Sequence, residues 1–227
     1  MRSVIIPARG GSQRIKGKNI RSFAGSPMIS WPINACIETG LFDDIFVSTD
    51  SQEIASVAEA VGAKVLWRPD YLADSYAGTT PVIQEILTNQ LAELPDDYWI
   101  YMIYPTSPIT GALVSNFVNF SEKNAGSFSV SVGKFRNHIQ RALGITENQT
   151  LQFLNSQYVD SRSQDLEEHF FDAGKLYGAN ASTWREASSP LLGSPKGFHL
   201  PMWATVDIDT EDDWLLAELC FTHLRNV

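Results

Sequence analysis

Residues 4–20 have the sequence VIIPARGGSQRIKGKNI, which joins a short apolar run to a loop rich in glycine and basic side chains. The run Val4–Ile6 is typical of a short buried strand. In the loop, Gly10 and Gly11 permit positive φ and let backbone N–H groups approach an anion, whose charge the basic side chains can neutralise. Those side chains are Arg9, Arg14, Lys16 and Lys18. The combination predicts a phosphate site at the end of the first strand, and a solvated basic loop is the alternative.

The spacing of the glycines distinguishes this loop from two common phosphate-binding motifs. A P-loop has four residues between its first glycine and Gly-Lys-Ser/Thr, whereas Gly11 and Gly17 enclose five and Asn19 follows the lysine. The dinucleotide fingerprint Gly-x-Gly-x-x-Gly is not matched either, because the first two glycines are adjacent. Both motifs are therefore disfavoured.

The overall composition limits the partners that this chain can have. Among 227 residues, 17 are lysine or arginine and 26 are aspartate or glutamate, giving a net charge of -9. This charge disfavours broad attraction to nucleic acid or anionic membranes. Cys36 and Cys220 lie in apolar helical contexts and predict reduced core thiols. Because we also find no signal-peptide core and no apolar run long enough to span a bilayer, we expect a cytoplasmic protein.

The order of predicted elements indicates the fold class. Apolar residues recur at helical spacing from Ser30 to Gly40 and from Ser51 to Val61. Strands are expected at 44–48, 63–67 and 98–104. This alternation predicts an α/β fold with a mostly parallel sheet, flanking helices and binding loops beyond the carboxyl ends of the strands. The length favours a single domain covering residues 1–227.

Residues 133–172 interrupt this alternation and form a predicted insert. The segment has weak helical periodicity and many polar residues. Its apolar residues have no obvious way to be buried within so small an appendage, so we expect the insert to be a dimerisation arm of a homodimer. The apolar residues are Phe135, Ile139, Leu143, Leu151, Phe153 and Leu154.

Two acidic residues near the carboxyl end of the chain are candidate metal ligands. Asp207 and Asp209 flank Ile208 in a segment that is expected to be extended, so both carboxylates would lie on one face. Mg²⁺ is commonly held by one or two carboxylates together with substrate phosphates and water. The alternative is that these acids only precede the last helix, for which Thr210 is the expected N-cap with Asp213 three positions on.

A second polar segment, residues 162–169, has side chains suited to a carboxylated, hydroxylated ligand. Arg162 can bind a carboxylate in bidentate fashion, and Gln164 and Asp165 can bind hydroxyl groups. A solvated acidic helix is the alternative. The histidines show no metal-ligand spacing, which disfavours zinc chemistry.

Five stretches together resemble the acylneuraminate cytidylyltransferase family, whose members convert nine-carbon 2-keto acid sugars into CMP conjugates. They are ARGGSQRIKGKNI at 8–20, VSTD at 47–50, Arg68-Pro69 with Leu72-Ala73, PTSP at 105–108 and DIDT at 207–210. They follow the family's order over nearly the whole chain. The stretches 139–143 and 162–168 with Asp172-Ala-Gly174 look most like the pseudaminic acid branch. The resemblance implies a nucleotide-diphospho-sugar transferase type of fold with a dimerisation insert.

The resemblance also implies roles for individual residues. Arg9, Lys18 and Asp209 would be catalytic, with Asp209 as the candidate acceptor of the anomeric proton, and Asp207 and Asp209 would hold Mg²⁺. Nucleotide binding would involve Ala8, Arg9, Gly10, Gly11, Ser12, Lys18, Asn19, Arg68 and Thr79. Sugar binding would involve Tyr104, Thr106, Ser107, Arg162, Gln164, Asp165, Asp172 and Gly174.

The implied reaction is CTP plus a sugar acid, most similar to pseudaminic acid, giving the CMP-sugar and pyrophosphate. Tyr104 stands where sialic acid members commonly have glutamine, which disfavours sialic acid. Phe171 and Gly178 also differ from the pattern of the pseudaminic branch. The alternatives are legionaminic, sialic or 3-deoxy-octulosonic acid as the sugar, or a nucleotide-binding protein without catalytic activity.

Overall fold

The computed structural model describes residues 1–12, 14–73 and 78–225. Its helices are α1 (Ser30–Thr39), α2 (Gln52–Val61), α3 (Thr79–Glu85), α4 (Gly111–Lys123), α5 (Ala181–Glu186) and α6 (Glu211–Arg225). Its strands are β1 (Arg2–Pro7), β2 (Ser22–Phe23), β3 (Ser26–Pro27), β4 (Asp44–Thr49), β5 (Lys64–Trp67), β6 (Trp99–Ile103), β7 (Ser129–Lys134), β8 (Leu143–Ile145), β9 (Leu151–Phe153), β10 (Phe170–Asn180) and β11 (Lys196–His199).

A seven-stranded sheet in the order β11-β7-β10-β6-β1-β4-β5 forms the centre of the fold. Its neighbouring strands are parallel except where β10 lies between β6 and β7, because β10 is antiparallel to both. The predicted mostly parallel α/β sheet is therefore confirmed. The pairs β2-β3 and β8-β9 form separate two-stranded sheets.

The strand order creates a crevice between β1 and β6. β1 pairs with β4 on one side and with β6 on the other, so that Ile5 lies opposite both Phe46 and Met102. The chain moves outward from β1 to β5 and only then returns to β6. At such a reversal the loops after the two strands diverge, and α/β sheets bind ligands there. In this chain those loops are residues 8–20 and 104–108.

Helix α2 illustrates how the sequence specifies the helical layer. The Ser51 hydroxyl at the N-cap accepts a hydrogen bond from the Ile54 N–H at 3.4 Å. Gly62 ends the helix with φ 109, a conformation that glycine adopts without a steric penalty. Ile54 and Ala58 are buried against the sheet. The predicted start, end and buried face of this helix are confirmed.

The core lies on both faces of the central sheet. On one face, helices α1, α2 and α4 pack against the sheet in a cluster that includes Val4, Ile6, Ile33, Val114 and Phe117. On the other face, helices α3 and α5 pack against the sheet in a cluster that includes Ile5, Ile83, Ile100, Tyr177 and Trp184. Neighbouring residues of β1 thus contribute to opposite core clusters, as expected for a strand that is covered by helices on both sides.

A third apolar cluster joins the loop after β1 to helix α6. It contains Ile15, Phe23, Ile208, Trp214 and Phe221, with the Phe23 and Trp214 rings 5.3 Å apart. The predicted cap of α6 is confirmed, because the Thr210 hydroxyl accepts from the Asp213 N–H at 3.2 Å and Asp213 accepts from the Thr210 N–H at 2.8 Å. This cluster fixes residues 206–209 beside the basic loop.

Two local expectations differ in part from the structure. Residues 206–209, which were expected to be extended in the manner of a strand, pair with no strand among the described residues. Cys36 is a buried free thiol as predicted, and burial raises its pKa, but Cys220 is only half-buried on α6. Within the described residues, no helix combines the length and the apolar character that crossing a membrane requires.

Candidate active site

A cavity of about 300 Å³ opens where β1 and β6 end. It lies at the reversal of strand order, the position at which ligand sites are expected in this class of sheet. Eight of the residues that the sequence assigned to nucleotide or sugar binding line it, and they come from three separate stretches of the chain. These are Arg9, Ser12, Lys18, Asn19, Arg68, Thr79, Tyr104 and Thr106.

The paired glycines serve a different purpose from the one expected. Neither Gly10 nor Gly11 has positive φ, and Gly17 is the glycine of this loop that does, with φ 63. A Cβ on Gly10 would lie 3.0 Å from the Cβ of Ser51, so the residue is needed for close packing. The Gly10 N–H donates to the Asp50 carboxylate at 2.8 Å and is therefore already engaged.

Asn19 holds the loop after β1 in shape. Its side-chain amide donates to the main-chain carbonyl of Arg9 at 3.0 Å, and its main-chain carbonyl accepts from the Ile29 N–H at 2.8 Å. Asn19 is itself buried. Ala8 is also buried, and its N–H donates to the Ser48 carbonyl at 2.8 Å. Ala8 and Asn19 thus position the side chain of Arg9, which lines the cavity.

Arg68 is a buried cation that lines the cavity. It donates from Nη2 to the Ser48 carbonyl at 3.2 Å, while its Nε has no hydrogen-bond partner among the described residues. Burial lowers the pKa of its guanidinium, and Asp50 raises that pKa. A buried cation with an unpaired N–H is costly unless a ligand completes its contacts. Arg68 therefore suits an acceptor-rich ligand.

Tyr104 closes the side of the cavity that faces α3. Its hydroxyl and that of Thr79 are 3.1 Å apart and form a hydrogen bond. Burial raises the pKa of Tyr104, which keeps its phenol protonated at neutral pH. The two hydroxyls retain hydrogen-bonding capacity toward a ligand, because each can donate and accept.

Lys18 connects the basic loop to the segment that precedes α6. Its ammonium donates to the Ile208 carbonyl at 2.6 Å and lies 3.8 Å from an Asp209 oxygen. Arg14 forms a second ion pair with Asp209. Burial lowers the pKa of Lys18, and Asp209 and Asp207 raise it. The site thus brings basic and acidic groups together from opposite ends of the sequence.

The candidate metal ligands retain the predicted alternation although they do not lie in a strand. Ile208 is fully buried, Asp207 is exposed and Asp209 is half-buried. The described residues contain no group of three or more metal-ligating side chains. Two carboxylates fit Mg²⁺ only if substrate oxygens complete its coordination, which is the usual arrangement in phosphate chemistry. The donor set is compatible with that ion.

Comparison with known proteins identifies the family. The family model described as cytidylyltransferase matches residues 3–166. The chain belongs to the cytidylyltransferase family. The predicted family resemblance and the predicted nucleotidyltransferase activity are thereby confirmed.

Several curated relatives of this cytidylyltransferase match nearly its whole length. The chain is 35% identical to "Pseudaminic acid cytidylyltransferase" of Campylobacter jejuni subsp. jejuni serotype O:2, over 96% of this chain and 94% of the relative. It is 30% identical to "CMP-N,N'-diacetyllegionaminic acid synthase" of Legionella pneumophila, over 94% and 93%. It is 31% identical to "N-acylneuraminate cytidylyltransferase B" of Danio rerio, over 96% of this chain and 50% of the relative.

Solved structures confirm the fold class of this cytidylyltransferase. A CMP:2-keto-3-deoxy-manno-octonic acid synthetase in complex with CTP superimposes with a TM-score of 0.68 at 14% identity, covering 100% of this chain and 99% of that one. A 4-diphosphocytidyl-2C-methyl-D-erythritol synthase from Anaerococcus prevotii superimposes with a TM-score of 0.59 at 12% identity, covering 99% and 98%.

The residues predicted to bind sugar do not all lie at the main cavity of the cytidylyltransferase. Arg162, Gln164 and Asp165 are exposed on the insert, and Gln164 lines a separate cavity of about 240 Å³. Thr106 lines the main cavity, and Ser107 is buried behind it. Asp172 accepts hydrogen bonds from the Tyr177 hydroxyl at 2.7 Å and from the Gly174 N–H at 3.0 Å. Asp172 and Gly174 therefore stabilise the backbone conformation of β10 and are not among the described residues that line the main cavity.

Sequence reasoning missed Lys175, which lies behind the cavity of the cytidylyltransferase. The residue is 1% exposed, and its ammonium donates to the Thr106 carbonyl at 3.1 Å. Burial lowers its pKa to about 8, Asp207 raises it, Lys18 lowers it and Asp209 raises it. A single lysine in the otherwise apolar stretch Ala173–Ala179 was the signal that could have identified it.

Proposed function

We propose that this cytidylyltransferase activates a nonulosonic acid, namely pseudaminic acid, by transferring CMP from CTP and releasing pyrophosphate. The observation that carries the proposal is the cavity at the ends of β1 and β6, where Arg9, Lys18 and Arg68 face the same space. The relatives named as pseudaminic acid cytidylyltransferases support the choice of sugar, since they match this chain over 96% of its length.

The nucleotide occupies the side of the cavity formed by the loop after β1 and by Arg68. Three cationic side chains match the charge of a triphosphate, and such groups stabilise anionic oxygens most strongly when they are already in position. The side chains of Arg68 and Thr79 line the cavity and are placed for polar contacts with the nucleoside. Gly10 keeps the loop close to the start of α2, because a Cβ there would lie 3.0 Å from the Ser51 Cβ, and the side chains of Arg9 and Ser12 line the cavity.

Asp207 and Asp209 would hold one Mg²⁺ beside the phosphates. When bound, the ion neutralises the charge that builds up on the phosphate oxygens. The carboxylates are hard oxygen ligands on either side of a buried residue, and the Arg14 contact to Asp209 is on the surface and can exchange. Lys18 keeps both acids near the cavity through its bond to the Ile208 carbonyl.

In the reaction, the anomeric oxygen of the sugar forms a bond to the α-phosphorus of CTP while the bond to pyrophosphate breaks. Arg9 and Lys18 stabilise the charge that moves onto the leaving group, because positioned cations contribute most where charge develops. Asp209 accepts the proton of the anomeric hydroxyl. Thr106 and Tyr104 bound the space in which the sugar must lie for in-line attack.

Other sugars and other roles compete with this assignment. The Legionella relative supports a legionaminic acid as the second candidate. Sialic acid is less suited, because a tyrosine hydroxyl replaces the side-chain amide expected before PTSP, and 3-deoxy-octulosonic acid is supported by fold alone. A protein without catalytic activity is disfavoured because Arg9 and Lys18 line one cavity and Asp209 lies 3.8 Å from the Lys18 ammonium.

The insert of residues 133–172 supports assembly as a homodimer. The hairpin β8-β9 exposes apolar side chains on a monomer, and such clustered apolar surface favours a protein partner. A second copy of the arm is the partner that we propose. We also propose a cytoplasmic location, for which the free thiols of Cys36 and Cys220 are suitable. The exposed side chains are Phe135, Ile139, Leu143, Leu151, Phe153 and Leu154.

Pyrophosphate release over a panel of sugars tests the proposed reaction. The purified chain with CTP and Mg²⁺ should release pyrophosphate with pseudaminic acid at a higher kcat/KM than with legionaminic, sialic or 3-deoxy-octulosonic acid. Replacing CTP with ATP should abolish release. A different preferred sugar would reassign the substrate, whereas CTP binding without release for any sugar would support the non-catalytic alternative.

A further inference from the structure

Lys175 joins β10 to the segment that follows β6 through two hydrogen bonds. Its main-chain carbonyl accepts from the Tyr104 N–H at 3.0 Å, and its ammonium donates to the Thr106 carbonyl at 3.1 Å. The residue is 1% exposed. Burying an ammonium costs free energy unless hydrogen bonds or charges compensate. Packing alone therefore does not explain a lysine at this position.

The position of Lys175 depends on an irregularity in β10. The pairing of β10 with β7 shifts register between Asp172 and Tyr177. Gly174 adopts φ 60 directly before the lysine, and its N–H donates to the Asp172 carboxylate at 3.0 Å. Such bulges are frequent next to active sites, where they re-aim a side chain. The irregularity therefore indicates that the direction of the Lys175 side chain serves the site.

The turn that Lys175 contacts has few polar groups of its own to hold it. Pro105 and Pro108 have no N–H to donate, and the Ser107 hydroxyl is buried without a hydrogen-bond partner among the described residues. Within residues 1–12, 14–73 and 78–225, no other side chain hydrogen-bonds to residues 105–108. Lys175 thus supplies the side-chain hydrogen bond that holds this turn.

Both residues that Lys175 contacts line the main cavity. Tyr104 and Thr106 form one part of its wall, and Lys175 itself is not among the described residues that line it. The Tyr104 hydroxyl is 3.1 Å from that of Thr79, and its ring lies 6.1 Å from the ring of Tyr177 in an edge-to-face arrangement. Lys175 can therefore act on a bound substrate through the residues of this wall.

We propose that Lys175 is a positioning residue for the sugar acid, because it fixes Tyr104 and Thr106 as the wall against which the sugar lies for in-line attack. This inference rests on the proposed function, since it takes this part of the cavity as the sugar site. A misplacement of about 1 Å can lower turnover about 10²-fold. The basic loop after β1 has its own contacts through Asn19 and Lys18, so the loss of Lys175 should affect the sugar and spare CTP.

Lys175→Met tests the hydrogen bond, because methionine retains most of the length of the side chain without the ammonium. In a pyrophosphate-release assay, the KM for pseudaminic acid should rise at least ~5-fold and kcat should fall at least ~10-fold. The dissociation constant of CTP, measured by calorimetry, should stay within ~2-fold of that of the original chain. Lys175→Arg retains a donor and should show smaller changes in both KM and kcat.

Two comparisons separate positioning from a merely structural role. Arg185→Met is the matched control, because Arg185 also donates to a main-chain carbonyl, that of Leu94 at 2.9 Å, but this carbonyl precedes β6 whereas Thr106 follows it. The control should leave KM and kcat unchanged. In the double variant of Lys175→Met with Thr106→Ala, the loss in kcat/KM for the sugar should be at least ~3-fold smaller than the product of the two single losses.

The outcomes distinguish this inference from the proposed function. If the original chain releases pyrophosphate with no sugar acid, the proposed function fails and the inference fails with it. If the original chain is active, three results would each overturn the inference alone: normal KM and kcat in a folded Lys175→Met variant, an equal loss of CTP affinity, or independent effects in the double variant. Thermal unfolding verifies folding, and Lys175→Gln, with its shorter reach and no charge, replaces a Met variant that does not fold.

Discussion

Replacing Lys18 by methionine tests the central contact of the proposed site. The Lys18 side chain is 17% exposed, and its ammonium donates to the Ile208 carbonyl at 2.6 Å. Methionine retains most of the length of this side chain but removes the ammonium. Removing one positioned donor from a site of developing charge lowers kcat about 10²–10³-fold, or ~3–4 kcal/mol. We expect turnover by Lys18→Met to fall by at least ~10²-fold on this basis.

The assay is continuous pyrophosphate release at saturating CTP, Mg²⁺ and pseudaminic acid. Lys16→Met is the matched control, because Lys16 lies two positions away in the same basic loop but is exposed and is not among the described residues lining the cavity. It should retain near-normal kcat. Thermal unfolding of both variants verifies that each is folded.

Two outcomes would contradict the reasoning. A folded Lys18→Met variant with near-normal kcat would show that this ammonium does not stabilise the transition state. An equal loss in Lys16→Met would mean that the overall charge of the loop matters and the geometry at Lys18 does not. Arg9→Ala provides an independent check, because Arg9 lines the same cavity and its loss should be of similar size.

Three further predictions concern the metal, assembly and pH. Asp207→Asn and Asp209→Asn should each lower kcat and raise the Mg²⁺ concentration needed for half-maximal pyrophosphate release. The effects of the two substitutions should not add in the double variant, because both act through one ion. An unchanged Mg²⁺ dependence in both single variants would exclude this metal site. Leu154→Asp on the arm should shift sedimentation from dimer to monomer, whereas an unchanged sedimentation coefficient would argue for another interface. Folding lowers the pKa of Lys175 from 10.5 to about 8, so between pH 8 and pH 10.5 the unfolded chain holds a proton on this lysine that the folded chain has lost. The free energy of unfolding, measured by denaturant titration, should therefore rise by up to about 3 kcal/mol from pH 8 to pH 10.5 relative to that of Lys175→Met. The same pH dependence of unfolding in both proteins would contradict the lowered pKa.

The fold and the presence of basic side chains at one cavity could be predicted because their signals are local. Helical spacing with Ser51 and Gly62 at its ends defines α2, and the glycine-rich basic loop directly follows a buried strand. Residues that depend on irregular backbone could not be predicted in this way. The position of Lys175 depends on the shift in register of β10 against β7 between Asp172 and Tyr177. The exposed Asp207 and the half-buried Asp209 flank Ile208, which is buried in one cluster with Ile15 and Trp214. The sugar side remains a prediction because the arm carries its residues away from the cavity.

The contacts of Lys18 and Arg14 join residues that are 190 and 195 positions apart in sequence. Loops of that length close slowly and late, because the entropy of the intervening chain must be lost before the contact is gained. During synthesis, all strands of the central sheet are made before residues 206–209, which bear the acidic partner of Lys18 and Arg14. A chain that stopped before these residues would therefore hold the sheet and the basic loop without their acidic contacts. Under the proposed function, turnover of CTP would report that these two distant parts of the sequence have come together.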